Sequence, residues 1–343
     1  MARRFALQWH ITHRCGNRCR HCYIADHKGS EPALAEVLEF LEDFAATCKK
    51  LDCMGELAIT GGDPILHPQF WEIIAAARKA AAMLIIMGNP ETINAGTIAR
   101  YKEVGIDRYH ISVDGFEKTH DGIRYRGSFS ETHRAFHELH EAGVLTEAMT
   151  TVSAWNYQEI PDLIDFIYGE FHASFWAFGR YVPTEGGDCG LTPQQYFDFL
   201  QTVWQRHKPW EEKLGIPAQR KDSFWSVIYD KSIPQIDRIC GGCGLGTTTL
   251  TMLPDFMIMA CRRHPQSHLE RWTPSRKLLD IFLNSPRLSA FRAIHNIKGC
   301  KDCQHLWHCR GCRAAAFAAT GDIYGEDPQC LLIAQRKAVA VNQ

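Results

Sequence analysis

Short apolar runs alternate with amphipathic stretches through the first 208 residues of the chain. The runs have the length of buried strands, and the stretches between them repeat apolar residues at helical spacing. The pattern predicts strands at 5–12, 56–60, 83–87, 109–113, 145–152 and 174–178. It predicts helices at 32–49, 68–82, 92–104, 130–142, 157–169 and 192–208. Strands that alternate with helices in this way favour an α/β fold built on a parallel sheet.

The six strand–helix units are fewer than the eight of a closed barrel. Periodicity alone does not separate an open partial barrel from a doubly wound sheet. After 208 the pattern is less regular, and eight of the 14 cysteines lie between 240 and 330. We therefore expect one domain at 1–208, a bridging segment at 209–239 and a second, cysteine-rich domain at 240–343.

Composition limits the possible classes of protein. Of the 343 residues, 45% are hydrophobic and 22% charged, with a net charge of −1, so no basic surface for nucleic acid is expected. Gln8 and His10 interrupt the apolar start, and no later run has the length of a membrane span. Many cysteines without a secretion signal favour a cytoplasmic protein whose thiols bind metal.

Three cysteines directly after the first predicted strand carry the most chemistry. Cys15, Cys19 and Cys22 are spaced C-x3-C-x2-C. Iron–sulfur clusters are normally held by four cysteines, so three thiolates leave one iron of a four-iron cluster open for a ligand. The alternative is a zinc site in which His13 or His21 supplies the fourth ligand.

This motif, with Tyr23 after it, resembles that of the radical S-adenosylmethionine (radical SAM) superfamily. The resemblance implies that the open iron chelates the amine and carboxylate of S-adenosylmethionine. Reductive cleavage of that cofactor then supplies a 5'-deoxyadenosyl radical. The resemblance also implies a partial (β/α)6, TIM-like barrel with the cysteine loop at the carboxyl ends of the strands.

Two further segments resemble the family's S-adenosylmethionine contacts. Gly61, Gly62 and Asp63 follow the second strand and resemble a GGE-type turn that receives the methionine amine, with Asp in place of the usual Glu. Ser112 and Arg124 lie in a segment that resembles S-x-D-G…H-D-x-x-R…G-S-F, where serine and arginine bind the ribose hydroxyls and the carboxylate. The alternatives are an ordinary turn and a surface ion pair.

Three single positions match the family more loosely. Asn89 follows the third strand, where the family often has a T-N-G segment, and His21 precedes the third cysteine, where a ring often lies near the adenine. Arg180 ends the sixth strand and resembles a sixth-strand cofactor contact. Cys189 follows that strand and resembles thiols that donate a hydrogen atom in some radical SAM enzymes.

The cysteines after 240 resemble a SPASM domain, the auxiliary-cluster extension of peptide-modifying radical SAM enzymes. The resemblance assigns Cys240, Cys243, Cys261 and Cys312 to one auxiliary [4Fe-4S] cluster and Cys300, Cys303, Cys309 and Cys330 to a second. The usual C-x2-C-x5-C-x3-C spacing is one residue short before Cys312, and Phe256 stands where a glycine is usual. Zinc sites are the alternative.

The whole resemblance implies an enzyme that uses S-adenosylmethionine and three [4Fe-4S] clusters to install a thioether or related crosslink in a peptide. Its expected partners are a cysteine-containing peptide, similar to Ala-Cys-Gly-rich precursors, and a flavodoxin- or ferredoxin-type reductant. A separate leader-binding protein is also expected, because the barrel begins near residue 5. No nucleic-acid partner and no membrane association is expected.

Three other functions remain open. One is a sulfatase-type or peptide-cofactor maturase, although Arg262 follows Cys261 where sulfatase-maturing enzymes carry an aspartate. Another is a tetrapyrrole or small-molecule radical SAM enzyme, which typically has a simpler cysteine tail. The third is a non-catalytic iron–sulfur electron carrier, which would not need Asp63, Ser112 or Arg124.

Overall fold

A computed structural model describes residues 3–24, 26–28, 31–215, 222–229, 242–264 and 266–341. The strands are β1 (Arg4–Thr12), β2 (Met54–Gly61), β3 (Met83–Met87), β4 (Arg108–Ser112), β5 (Thr146–Val152), β6 (Phe175–Arg180), β7 (Thr249–Met252), β8 (Met257–Met259) and β9 (His268–Arg271). The α-helices are α1 (Leu34–Lys50), α2 (Phe70–Ala80), α3 (Ala95–Val104), α4 (Glu117–Ile123), α5 (Ser128–Glu141), α6 (Ile160–Gly169), α7 (Pro193–Leu214), α8 (Trp225–Tyr229), α9 (Leu278–Asn284), α10 (Pro286–Arg292), α11 (Arg313–Thr320) and α12 (Leu331–Val341).

The strands form one sheet in the order β6-β5-β4-β3-β2-β1-β7-β8-β9. All six predicted strands are present and pair in parallel with their sequence neighbours. Because β6 is an edge strand, the barrel stays open, and the predicted α/β fold with a partial barrel is confirmed. The carboxyl ends of β1 to β6 meet at one edge of the sheet, which is where such folds place their active sites.

Burial on both faces explains why these strands read as continuous apolar runs. Eight of the nine residues of β1 lie in the sheet with little exposure, and only Arg4 at its start is exposed. The ring of Trp9 packs 4.9 Å from that of Phe40 on α1. Each fully buried large side chain of this kind stabilises the fold by roughly 1.5–3 kcal/mol.

The cysteine-rich part of the chain joins the same sheet instead of standing apart. Strand β7 pairs in parallel with β1, so that Leu250 lies opposite Leu7. The Trp272 indole and the Leu278 amide both donate to the Asp43 carboxylate on α1, each at 2.8 Å. The predicted boundary at 240 therefore does not coincide with a break in the sheet or in the apolar core.

Several element boundaries differ from the prediction. Helix α7 continues through Pro209 to Leu214, past the predicted end of the first domain at 208. Helix α4 was not predicted, because its seven residues include the polar pair His120-Asp121 and offer no apolar stripe. Residues 216–221 and 230–239 of the predicted bridge, 209–239, lie outside the described residues, as does Cys240.

Phe256 shows why a glycine is usual at its position. Its backbone has φ of 61°, in the left-handed region that disfavours bulky side chains. The ring packs between Trp9 at 5.9 Å and Trp272 at 5.3 Å. Aromatic packing therefore holds a strained backbone that glycine would adopt freely.

In the described part of the chain, no helix combines the length and the apolar character needed to cross a membrane.

Candidate active site

The loop that follows β1 carries the first three cysteines at the carboxyl edge of the sheet. The Asn89 amide donates to the Cys15 sulfur at 3.5 Å, and Arg124 Nη1 donates to the Cys19 sulfur at 3.7 Å. Donors aimed at sulfur favour thiolates, the form that binds iron. In the protein without metal, burial raises the pKa of both thiols, so cluster binding would release protons.

Gly61 and Gly62 are required by the cysteine loop itself. The Gly62 amide donates to the Thr12 carbonyl at 3.0 Å, and the Asp63 amide donates to the Arg14 carbonyl at 2.7 Å. A Cβ atom on Gly62 would meet the Arg14 carbonyl and would lie 2.7 Å from the Cys15 Cβ atom. The sequence predicted close approach to a cofactor here, and the structure shows close approach of the loop that carries the cysteines.

Asp63 is a buried carboxylate with an unused oxygen. Its side chain is 3% exposed, and Oδ1 has no hydrogen-bond partner in the described part of the chain. Burial, with a smaller contribution from Glu91, raises the pKa of Asp63 to about 7. An unsatisfied buried acid is costly unless a ligand pairs with it. The residue therefore fits the predicted role as acceptor of the methionine amine.

Arg124 and Asp114 form a largely buried ion pair above the cysteine loop. Arg124 Nε and Nη2 lie 2.8 and 2.7 Å from Asp114 Oδ2, and the Arg124 side chain is only 12% exposed. Burial acts to raise the pKa of Asp114, but Arg124, His21 and His120 outweigh it and lower that pKa to about 2. The sequence left open a surface ion pair at this position. An ion pair is present, but it is largely buried, and it directs the Arg124 guanidinium toward Cys19.

His21 belongs to the same group of side chains. Its Nε2 lies 3.6 Å from Asp114 Oδ2, and its Nδ1 has no hydrogen-bond partner among the described residues. Burial lowers the pKa of His21, with the Asp114 charge opposing, so the ring carries little positive charge at pH 7. A neutral ring beside Cys22 fits the predicted position near the adenine.

The motif around Ser112 contains residues whose role sequence reasoning missed. Ser112 ends β4 and is partly exposed at the active edge. Asp121 accepts from the Gly127 and Phe129 amides at 2.5 and 2.9 Å, so it caps the first turn of α5. Asp114, the acid of the S-x-D-G motif, has no role predicted from the sequence, although its place in that motif beside Ser112 was the available signal.

Arg180 does not join this site. Its side chain is 1% exposed, and it donates to Asp222 at 3.0 Å and to both oxygens of Asp327 at 2.7 and 2.9 Å. Gln329 accepts from it as well, at 3.2 Å. Two carboxylates and an amide thus occupy the guanidinium. These contacts link β6 to the C-terminal cysteine region, and the contact of Arg180 with S-adenosylmethionine stays a prediction.

Cys189 is packed in the apolar core instead of facing the cysteine loop. Its side chain is 3% exposed, and burial raises the pKa of its thiol to about 11. The thiol lies near Arg180 and Asp188. The structure does not bring Cys189 together with Cys15, Cys19 and Cys22, and its role as a hydrogen-atom donor stays a prediction.

The C-terminal cysteines fall into two groups. Cys243, Cys261 and Cys312 form the first group. Burial, together with the nearby thiols of Cys261 and Cys312, raises the pKa of the Cys243 thiol to about 11. The Arg263 guanidinium lies beside all three. The fourth predicted member, Cys240, lies outside the described residues.

The second group lines one cavity of about 370 Å³, part of it open to solvent, with Cys300, Cys303, Cys309 and Cys330 in its wall. Asp327 also lines this cavity and accepts from the Cys312 amide at 2.6 Å, so it separates the two groups. Four-iron clusters hold their ligand sulfurs further apart than a single ion does. In the described part of the chain, no three Cys, His, Asp or Glu side chains are grouped so as to hold a metal ion.

Residues 9–167 match the family model described as the radical SAM superfamily. Among curated proteins, the AdoMet-dependent heme synthase of Methanosarcina barkeri is 24% identical over 95% of this chain and 95% of its own length. That of Nitratidesulfovibrio vulgaris is 28% identical over 94% of this chain and 91% of its own. The mycofactocin maturase MftC of Mycobacterium ulcerans is 24% identical over 95% and 87%.

Among solved structures, SuiB of Streptococcus suis bound to S-adenosylmethionine has the same fold. The TM-score is 0.75 at 15% identity, over 96% of this chain and 78% of that chain. The shared fold extends across the cysteine-rich C-terminal region, which is consistent with a SPASM domain.

Proposed function

We propose that this chain, whose residues 9–167 form a radical SAM domain, is a radical SAM enzyme that installs a thioether or related crosslink in a peptide. The observation that carries the peptide assignment is the division of the C-terminal cysteines into two separate groups. Two groups suit two auxiliary clusters, the arrangement of peptide-modifying SPASM enzymes. Simpler tetrapyrrole enzymes of the superfamily would not need both.

The family implies S-adenosylmethionine and one [4Fe-4S] cluster, which together supply a 5'-deoxyadenosyl radical when bound. Cys15, Cys19 and Cys22 would hold the cluster. Asp63 would accept the methionine amine, and it would need to be ionised to do so. Arg124 would remain on Asp114 while its outer N–H faces Cys19 and the methionine carboxylate.

Residues beside this constellation would complete the cofactor site. Ser112 would contact the ribose at the end of β4, and His21 would lie near the adenine. Asn89 would orient Cys15 through the hydrogen bond to its sulfur. Gly61 and Gly62 would keep the cysteine loop against the end of β2.

The auxiliary groups would serve the oxidative half of the reaction. Joining a substrate carbon to a substrate sulfur removes two hydrogens, one as an atom to deoxyadenosine and the other as a proton plus an electron. The auxiliary clusters would accept that electron or ligate the substrate thiol. Cys243, Cys261, Cys312 and Cys240 would hold the first auxiliary cluster, and the four cysteines of the cavity would hold the second.

The partners follow from this chemistry. The substrate would be a cysteine-containing peptide, bound at the carboxyl edge of the sheet, and SuiB has been solved bound to its precursor peptide SuiA. A flavodoxin or ferredoxin would supply the first electron, and a separate protein would bind a leader sequence. The protein would act in the cytoplasm, where thiols stay reduced.

A tetrapyrrole substrate is the second candidate. Heme synthases of two organisms align with 94–95% of this chain at 24–28% identity. Another aligned relative is named Fe-coproporphyrin III synthase, and iron coproporphyrin III serves here as the tetrapyrrole test compound.

Anaerobic reconstitution separates these candidates. We expect about twelve irons per chain from three four-iron clusters. Reduction with S-adenosylmethionine and a Cys-containing peptide should give deoxyadenosine and a peptide lighter by two hydrogens, measured by mass spectrometry. Conversion of iron coproporphyrin III without a peptide product would support the second candidate. A fully loaded, reduced protein that cleaves no cofactor with either compound would favour an electron carrier.

A further inference from the structure

Arg262 lies where the N-terminal cysteine loop meets the first C-terminal cysteine group. Its Cζ atom is 5.0 Å from the centre of the Tyr23 ring. The thiols of Cys22, in the loop, and Cys261, in the C-terminal group, both border the guanidinium. A substrate that reaches the loop while a C-terminal cluster assists would pass this side chain.

Arg262 carries a buried N–H donor that no described residue accepts. In the part of the chain that the structure describes, no carboxylate forms an ion pair with Arg262, and its Nε is buried without a hydrogen-bond partner. Arg124 and Arg180, by contrast, each lie against at least one aspartate. The acidic groups beside it are Tyr23 and the thiols of Cys22 and Cys261. A buried N–H donor without an acceptor is costly until a ligand accepts from it.

His10 supplies an unused neutral ring at the same place. Its side chain is fully buried, its ring centre is 6.0 Å from that of Tyr23, and neither ring nitrogen has a hydrogen-bond partner in the described residues. The Gly61 backbone and the side chains of Arg262 and His13 lie near it. Burial, then the charges of Arg262 and His13, lower the pKa of His10, so the ring is neutral at pH 7 and has one N–H to donate.

We propose that Arg262, assisted by His10 and His13, binds a carboxylate of the substrate between the catalytic loop and the first auxiliary group. His13 contributes its Nε2, which has no partner among the described residues. A guanidinium suits a carboxylate because its parallel N–H groups match two oxygens. The inference rests on the proposed function for the location of the substrate. The carboxylate belongs either to a peptide or to a propionate of a tetrapyrrole.

The test uses matched ligands on the intact, reconstituted protein with S-adenosylmethionine bound. The peptide pair is a synthetic Ala-Cys-Gly-Glu peptide and its Gln analogue, both with amidated ends. The tetrapyrrole pair is coproporphyrin III and its tetramethyl ester. We expect one acid to bind about tenfold or more tighter than its neutral analogue by calorimetry. The pair that shows this preference identifies the source of the carboxylate, and equal affinities in both pairs would overturn the proposal.

Variants assign the preference to this site. Arg262→Gln should erase the difference between acid and neutral analogue, whereas Arg262→Lys should keep part of it. Arg206→Gln is the matched control, because Arg206 is an exposed arginine on α7 whose partners are Asp162 and Asp165. A preference that persists in Arg262→Gln, or a loss of S-adenosylmethionine affinity in its place, would assign the guanidinium elsewhere and reject the proposal.

Iron content of each variant checks that the clusters remain, and the ligand pairs on the unmodified protein decide the question if Arg262→Gln does not fold. The two ideas fail separately. A carboxylate preference without any crosslinked product would refute the proposed function and leave the binding site standing. Crosslinking with equal affinity for the acidic and neutral peptides would do the reverse.

Discussion

Arg124 and Arg180 were both predicted to contact S-adenosylmethionine, yet the structure uses them in different ways. Arg124 pairs with one aspartate through Nε and Nη2 and aims Nη1 at Cys19. Arg180 is occupied by Asp222, both oxygens of Asp327 and Gln329. An arginine with a nitrogen free of internal oxygen acceptors can serve a cofactor, and one whose three nitrogens all donate to internal oxygens serves the fold.

The number of acids around each guanidinium therefore decides its role. Arg262 extends the comparison, because no described carboxylate pairs with it. Among the described residues, the number of aspartates paired with each arginine falls from two at Arg180 to one at Arg124 and none at Arg262. The series predicts that substitution affects stability most at Arg180, cofactor binding at Arg124 and substrate binding at Arg262.

Removal of Cys19, the thiol that Arg124 faces, should have the largest effect on activity. Cys19→Ala should abolish deoxyadenosine formation, because two thiolates cannot retain the catalytic cluster. About eight irons should stay with the two auxiliary groups. Cys48→Ala, which removes a buried thiol in the apolar core of α1, is the control and should retain about twelve. Persistent cofactor cleavage in Cys19→Ala would show that Arg124 faces a thiol without catalytic importance.

Arg180→Met tests the structural side. The substitution leaves Asp222 and Asp327 buried without their cation, so the free energy of unfolding should fall by about 3–5 kcal/mol. Denaturant titration measures it, and iron loss from the second cysteine group should accompany it, since Asp327 lines that cavity. Arg206→Met, which breaks exposed ion pairs, should cost less than about 1 kcal/mol. Similar losses in both variants would remove the distinction between the two arginines.

Arg124→Lys should weaken S-adenosylmethionine binding by about 1.5–3 kcal/mol. Lysine keeps the charge beside Asp114 but cannot serve both that carboxylate and the ligand, because it lacks the planar fork. Calorimetric dissociation constants measure the effect. Arg20→Lys is the control, since Arg20 is an exposed side chain stacked 3.9 Å from the Trp155 ring centre. An unchanged affinity in Arg124→Lys would assign Arg124 to structure, like Arg180.

The pH dependence of cofactor binding gives the smallest expected effect. Because the pKa of Asp63 is raised to about 7 in the folded protein, the acid is mostly neutral at pH 6 and ionised at pH 8. Its contribution to stability is complete below the ordinary pKa of an aspartic acid and is lost as the pH rises through 7. Cofactor affinity should change in the opposite direction and rise about tenfold from pH 6 to pH 8, because the amine pairs with the ionised form.

Calorimetry at both pH values, with Asp63→Asn as control, tests this expectation. The variant has no carboxyl group to titrate at this position, so its affinity should be lower and nearly independent of pH. An affinity of the unmodified protein that is equal at the two values would assign the amine to another acceptor.

Much of the sheet was predictable because parallel strands are buried on both faces. That burial demands continuous apolar runs, which is why all six predicted strands agree with β1 to β6 within a few residues. Strand β7 was missed, since its four residues carry no distinctive pattern and it pairs with β1 from the far end of the chain. Helix α4 was missed for want of an apolar stripe.

The sequence by itself determined the spacing of Cys15, Cys19 and Cys22, the order of the strands and the position of Asp63, because these features depend on neighbours along the chain. Only the tertiary structure decided which arginine stays available for a ligand. Arg180 pairs with Asp327, which lies 147 positions further along the chain. Arg262 contacts Tyr23 of the cysteine loop although the two residues are far apart in the sequence. Electrostatic pairing depends on distance in space and on desolvation, and neither quantity can be calculated from separation along the chain.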